Sequence, residues 1–133
     1  MWPEPVERIA SFLRDSQALG RIEELPPGVD TPPGDAAVAA AFECDGELLV
    51  VLVPADRELD EDRLARRGRC SDLRPAPAPA FPFQGARVVA DHTLLAMHTV
   101  WLEAGSPRHV LGLAPHQLLR LTRAETGAFL VES

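Results

Sequence analysis

The stretch from Asp45 to Asp60 constrains the fold more than any other part of this 133-residue chain. Asp45-Gly46 is typical of the two-residue hairpin turn, in which both residues take a positive φ. After Glu47, residues 48–53 are apolar on both faces, which is typical of a central strand. Asp60 is placed to cap a short helix that stops at Gly68. The stretch therefore predicts a hairpin, a central strand and a helix in direct succession.

The apolar patterns outside this stretch predict a succession of short elements. Val6, Ile9 and Leu13 recur at helical spacing, and Gly20 is placed to close that helix. Residues 36–44 are ambiguous between helix and strand, and we expect the second half to be the strand that pairs with 47–53. Other expected strands are 21–25, 87–91, 98–103, 109–113 and 126–131, with a turn or short helix at 92–97 and a helix from Pro115. Hairpin pairing with helices set apart predicts an α+β fold, a mixed, mostly antiparallel sheet of about six to seven strands with helices packed around it.

Composition is that of one globular domain over residues 1–133, with 46% hydrophobic and 25% charged residues. No window approaches the roughly 20 apolar residues of a membrane span, and the N-terminus lacks a signal-peptide pattern. We therefore expect a cytoplasmic protein with no membrane partner. Cys44 and Cys70 have neither CxxC spacing nor a neighbouring His, so we expect two reduced thiols rather than a disulfide or a metal site.

The charge distribution limits which nucleic-acid contacts are possible. The net charge is −7, and all thirteen basic residues are Arg, so the chain contains no lysine. This balance opposes general nucleic-acid binding, since that affinity comes mainly from neutralised phosphates. Five arginines lie between Arg63 and Arg74. They form either a solvated helix face, partly neutralised by Glu61 and Asp62, or a patch that contacts phosphates. The candidate RNA-contacting residues are Arg63, Arg66, Arg67 and Arg69.

Common catalytic motifs are absent from the sequence, and neither a cofactor nor a metal is expected. No Gly-rich phosphate loop precedes a helix, no GxSxG motif occurs, and no two His stand at metal-binding spacing on a helix. Asp91 ends an apolar strand, where a carboxylate must face a cleft or be hydrogen-bonded. It is either a site residue or a cap for the following turn. His92 beside it is a candidate acid-base group.

Five segments together resemble the YbaK type of aminoacyl-tRNA editing domain, which is also found inserted in or associated with prolyl-tRNA synthetases. The resemblance covers most of the chain and depends on order and spacing. The segments are Val53-Pro54-Ala55-Asp56, Pro82-Phe83-Gln84-Gly85, Arg87-Val88-Val89-Ala90-Asp91, Ala104-Gly105 and the closing helix from Leu113 to Thr122.

The resemblance implies a freestanding deacylase that hydrolyses the ester of a mischarged tRNA. Such domains are thought to use a substrate hydroxyl and an ordered water, so the protein mainly positions the substrate and excludes solvent. Asp91 would then orient water or the terminal ribose. The implied substrate-binding residues are Pro54, Pro82, Phe83, Gly85, His92, Gly105 and Ser106. The resemblance implies tRNA and an aminoacyl-tRNA synthetase as partners, and it implies no binding of DNA.

Two departures from the family keep other functions open. The family's lysine falls at Val38 or Ala39, and the segment 75–80 replaces its GxxxP substrate loop. A catalytically degenerate member would bind aminoacyl-tRNA, an amino-acid-like ligand or a protein without hydrolysing anything. A hydrolase of a non-tRNA aminoacyl compound would be more compatible with the net negative charge.

Overall fold

A computed structural model of the chain describes residues 2–132, which form three α-helices, a 3-10 helix and eight strands. The helices are α1 (Glu4–Asp15), α2 (Glu61–Gly68), α3 (Pro115–Thr122) and the 3-10 helix His92–Ala96. The strands are β1 (Gly20–Glu24), β2 (Ala37–Cys44), β3 (Glu47–Pro54), β4 (Leu73–Ala76), β5 (Arg87–Asp91), β6 (Val100–Ser106), β7 (His109–Leu113) and β8 (Glu125–Gly127). No helix within residues 2–132 is long and apolar enough to cross a membrane.

The strands form two sheets, so the expected sheet of six to seven strands is wrong in its size. The three-stranded sheet has the order β1-β7-β6 and the five-stranded sheet the order β4-β2-β3-β5-β8. β3 pairs parallel with β5, and β5 pairs parallel with β8, whereas the other pairs are antiparallel. The α+β class and the mixed, mostly antiparallel pairing are confirmed, and β3 is central as expected.

The β2-β3 hairpin forms for the reason the sequence indicates. Asp45 and Gly46 have φ values of +50° and +88°, which the two-residue turn requires. β2 is extended from Ala37 onward, so the expectation that only its second half is strand is too narrow. Pairing along the whole of β3, from Ala37 with Pro54 to Cys44 with Glu47, overrides the helix propensity of its alanines.

Apolar residues pack on both faces of the five-stranded sheet. A larger cluster lies between the two sheets, α1 and α3, and includes Ile9, Leu52, Leu111 and Leu118. A smaller cluster on the other face includes Leu64 of α2. Because β3 contributes to both, its continuous apolar run is explained by burial on two sides.

Several element boundaries differ from the sequence expectations. α1 ends at Asp15, and Gly20 begins β1 instead of closing the helix. β6 begins at Val100 and continues through Ser106, later at both ends than the expected 98–103, and Pro107-Arg108 forms the turn to β7. The last strand is earlier and shorter than 126–131. The helix cap at Asp60 is confirmed, since its side chain accepts a hydrogen bond from the Arg63 amide.

The expectation of two reduced thiols is wrong, because Cys44 and Cys70 form a disulfide with their Cα atoms 5.2 Å apart. Pairing of β2 with β4 places Cys44 opposite Leu73, and this long-range register brings the cysteines together. Disulfides are rare in cytosolic proteins. The bond therefore disagrees with the expected cytoplasmic location, which stays a prediction.

Candidate functional site

A cavity of about 390 Å³ lies where β2, β6 and the segment between β4 and β5 meet. We call it the β2-β6 pocket. Its volume is at the lower end of the roughly 300–1,000 Å³ typical of small-molecule sites. The lining residues are Pro5, Ala37, Val38, Ala39, Ala78, Pro79, Ala80, Phe81, Phe83, Leu102, Glu103 and Gly105.

The segment 78–83 forms one wall through its aromatic residues. Phe81 and Phe83 are buried, and their rings meet edge to face with centroids 5.8 Å apart. Phe81 also contacts Phe12 of α1 in the same way at 5.9 Å. These packed rings fix a wall that could not form from an alanine- and proline-rich segment alone.

Gly105 forms the opposite wall and allows α1 to approach β6. Its φ is +88°, and a Cβ there would lie 2.9 Å from the Pro5 carbonyl carbon. The β6-β7 register shifts between Glu103 and Ser106, so Gly105 lies in a bulge. The resemblance implied Gly105 as a site residue, and it does line the pocket.

Val38 and Ala39 line the pocket, at the positions where the family's lysine was expected. The Val38 side chain is 47% exposed, so it stands at the open rim. No positively charged side chain is present among the described lining residues. Ala78, Pro79 and Ala80 also contribute to the wall.

Among the described lining residues, Glu103 is the one with an ionisable side chain. It is exposed, and its side chain has no hydrogen bond or ion pair to another described residue. The sequence analysis missed it, because an outward polar residue between Leu102 and Ala104 is what any half-buried strand shows. A carboxylate in an otherwise apolar pocket is suited to bind a cationic group on a small apolar ligand.

Four of the other implied substrate-binding residues lie next to the pocket without lining it: Pro54, Pro82, Gly85 and Ser106. Pro54 pairs with the pocket residue Ala37 across the β2-β3 ladder. Pro82 and Gly85 line a second cavity on the far side of Phe83. Ser106 accepts a hydrogen bond from the Arg108 amide and contacts His109 Nδ1 at 2.8 Å, which stabilises the β6-β7 turn.

Asp91 lies away from the β2-β6 pocket and is 1% exposed. One carboxylate oxygen accepts from the Phe129 amide at 2.9 Å, and the other accepts from the Thr93 amide and hydroxyl. These contacts cap the 3-10 helix and fix the chain after β8. His92 lines a separate cavity with Asp91, and its Nδ1 donates to the Gly127 carbonyl. These contacts do not test a catalytic role for Asp91, which stays a prediction.

The four candidate RNA-contacting arginines separate into two groups. Arg63 is hydrogen-bonded to Glu132 and lies 3.6 Å from Asp60, and the hydrogen bond to Glu132 is the main reason that the pKa of Arg63 is raised. Arg66, Arg67 and Arg69 instead line a cavity that also includes Arg87. In residues 2–132, no three His, Cys, Asp or Glu side chains are grouped to hold a metal ion.

Comparison with known proteins supports the fold without assigning a family. No family model matches the sequence, and no curated protein matches it either. A candidate trans-editing enzyme for prolyl-tRNA synthetase superposes with a TM-score of 0.82 at 21% identity, and the match covers 100% of both chains. The likeness is one of fold.

Two further solved structures have the same fold. A scaffold protein from computational epitope grafting matches with a TM-score of 0.84 at 20% identity, over 99% of this chain and 100% of that chain. A hypothetical protein matches with a TM-score of 0.80 at 16% identity, over 96% and 100%. Since one fold hosts several functions, the activity must be argued from the pocket itself.

Proposed function

We propose that this protein hydrolyses the ester bond of a mischarged aminoacyl-tRNA that carries a small amino acid. One observation carries the proposal: among the described residues that line this small, mostly apolar pocket, Glu103 is the one with an ionisable side chain. An aminoacyl ester has a matching structure, since its α-ammonium is cationic and a small side chain is apolar. The likeness to a candidate trans-editing enzyme supports the same substrate class.

In the proposed complex, Glu103 binds the α-ammonium and the wall of Phe81, Phe83 and Leu102 contacts the side chain. Backbone amides near Gly105 lie beside the 3′ end of the RNA. Water adds to the ester carbonyl carbon, the bond to the ribose oxygen breaks, and that oxygen takes a proton that the water gives up. A ribose hydroxyl of the substrate assists, so the protein contributes orientation and exclusion of bulk solvent.

The missing lysine favours a second candidate function. Val38 and Ala39 cannot polarise a carbonyl or bind a phosphate. A protein with this pocket could bind an aminoacyl group, through Glu103 and the apolar walls, without hydrolysing it. With either candidate function, hydrolysis or binding, we propose a cytoplasmic location and contact with an aminoacyl-tRNA synthetase.

A panel of misacylated tRNAs tests the proposal. We expect deacylation above the rate in buffer for at least one small amino acid, such as alanine or serine, and none for phenylalanine, which is too large. Val38→Trp should block the pocket rim and lower the rate at least tenfold. Val29→Trp is the matched control, because Val29 is an exposed valine that does not line the pocket.

Rates equal to buffer across the panel would remove the enzymatic function. Binding of a non-hydrolysable aminoacyl analogue, lost in Val38→Trp, would then support the second candidate. Equal activity of the two tryptophan variants would show that the reaction occurs elsewhere on the protein.

A further inference from the structure

Two cavities share Arg87 and Glu125 among their lining residues, and arginine lines both. The first, of about 570 Å³, lies on the face of the five-stranded sheet that α1 and α3 cover, and the second, of about 340 Å³, lies on the face that α2 covers. We call the two adjoining cavities together the arginine groove; its arginines are Arg66, Arg67, Arg69, Arg87, Arg120 and Arg123.

These arginines are not neutralised by the protein's own carboxylates. Five other arginines, namely Arg8, Arg21, Arg63, Arg74 and Arg108, have a carboxylate within 4.0 Å. Within residues 2–132, none of the six groove arginines has one, although the chain contains twenty acidic residues. Glu125 is the one carboxylate that lines the groove in the described chain. The groove therefore concentrates positive charge in a protein of net charge −7.

Neutral contacts hold several of these side chains in position. Arg87 Nη1 donates to the Gly68 carbonyl at 2.9 Å, and Arg120 Nη2 donates to Gln117 Oε1 at 2.7 Å. Arg67 lies so close to Gly127 that a Cβ there would be 2.8 Å from its Nη2. Such contacts reduce the conformational entropy lost when an anion binds, and they leave the guanidinium charge without a counter-ion.

We infer that the arginine groove binds successive phosphate groups of a single RNA strand. Guanidinium groups pair with phosphate oxygens in bidentate geometry, and the two adjoining cavities place them along a path rather than at one point. Phe12 and Leu121 add half-buried apolar surface in the larger cavity, against which bases can pack. Phe83 lines both this cavity and the β2-β6 pocket, so a strand in the groove would end beside that pocket.

The inference rests on the proposed function, because that function is the reason for choosing RNA over another phosphate ester as the ligand. It also changes the set of residues that we expect to contact RNA. Arg87, Arg120 and Arg123 join Arg66, Arg67 and Arg69, because they line the same two adjoining cavities. Arg63 is left out, since it is paired with Asp60 and Glu132 and lines a different cavity.

Fluorescence anisotropy with a labelled 12-nucleotide RNA that ends in CCA and carries no amino acid tests the groove. Two double variants remove opposite ends of it, Arg66→Gln with Arg67→Gln and Arg120→Gln with Arg123→Gln. We expect each to weaken binding at least tenfold. Each should also flatten the slope of log affinity against log salt by about 1.4, from about 0.7 per lost phosphate contact on a single strand. The control double variant, Arg8→Gln with Arg74→Gln, removes two arginines outside the groove and should leave both quantities unchanged.

Unchanged affinity and salt slope in the groove variants would overturn the inference, as would an equal loss in the control. Competition with AMP and with inorganic phosphate separates the sources of phosphate. Displacement of the RNA by AMP at equal concentration would show a site for a free nucleotide and would overturn the assignment to a strand. Because the RNA carries no amino acid, this binding test does not depend on the result of the deacylation panel. A negative result in either experiment therefore does not decide the other.

Discussion

Asp91→Ala should lower the free energy of unfolding by about 3 to 4 kcal/mol, because it removes the acceptor of the buried Phe129 amide and of the half-buried Thr93 amide and hydroxyl. The carboxylate that these three groups share is 1% exposed. For a chain of this length, the melting temperature should fall by about 10 to 15 °C. Thermal denaturation followed by circular dichroism measures the effect.

Two further variants separate a structural role from a catalytic one. Asp91→Asn keeps one acceptor oxygen but turns an amide toward a donor, so we expect a loss of about 2 kcal/mol. The interpretation of Asp91 as a site residue, which the sequence alone allows, predicts instead that Asp91→Asn leaves the melting temperature nearly unchanged. Asp56→Ala is the control, since Asp56 is exposed and has no side-chain partner among the described residues. A folded Asp91→Asn protein of unchanged stability that had lost deacylation would contradict the structural role and support a catalytic one.

The variant with both Cys44→Ser and Cys70→Ser should be less stable by about 3.5 kcal/mol. The cysteines are 26 positions apart, and closing a loop of that length restricts the unfolded chain by about this free energy in the chain-entropy model. The disulfide also ties the segment after α2 to the end of β2, so Arg69 should become more mobile without it. Unfolding in guanidinium with and without a reductant measures the loss.

Treatment of the wild type with a reductant should reproduce the effect of the double variant. The double variant itself, which has no bond to break, should be insensitive to reductant. Two free thiols titrated in the native, untreated protein, together with an unchanged unfolding curve for the double variant, would contradict the bond and restore the expectation of reduced cysteines.

The parts of the fold that the sequence predicts are those specified by neighbouring residues. Asp45-Gly46 encodes its turn, and the apolar run after it encodes a strand buried on both faces. Asp60 caps α2 through the amide three residues on. Each of these interactions lies within one or two elements, where turn chemistry and periodicity determine the outcome.

The parts that the sequence does not predict depend on contacts between distant residues. The partner of Asp91 at Phe129 is 38 residues away. The disulfide depends on the register of β4 against β2. Glu103 has the pattern of an ordinary outward-facing strand residue, and only the opposing segment 78–83 makes it part of a pocket. The arginine groove likewise depends on the pairing of β5 with β8, which no local pattern specifies.

The central claim is that Glu103 binds the α-ammonium of an aminoacyl ester, and N-acetylation of the substrate tests it most directly. Acetylation replaces the ammonium by a neutral amide and leaves the ester intact. We predict that the wild type hydrolyses alanyl-tRNA with a kcat/KM at least tenfold above that for N-acetyl-alanyl-tRNA, which corresponds to about 1.4 kcal/mol. Glu103→Gln should lose this preference, whereas Glu47→Gln, an exposed residue outside the pocket, should keep it. Equal hydrolysis of both substrates by the wild type, or an undiminished preference in Glu103→Gln, would contradict the account.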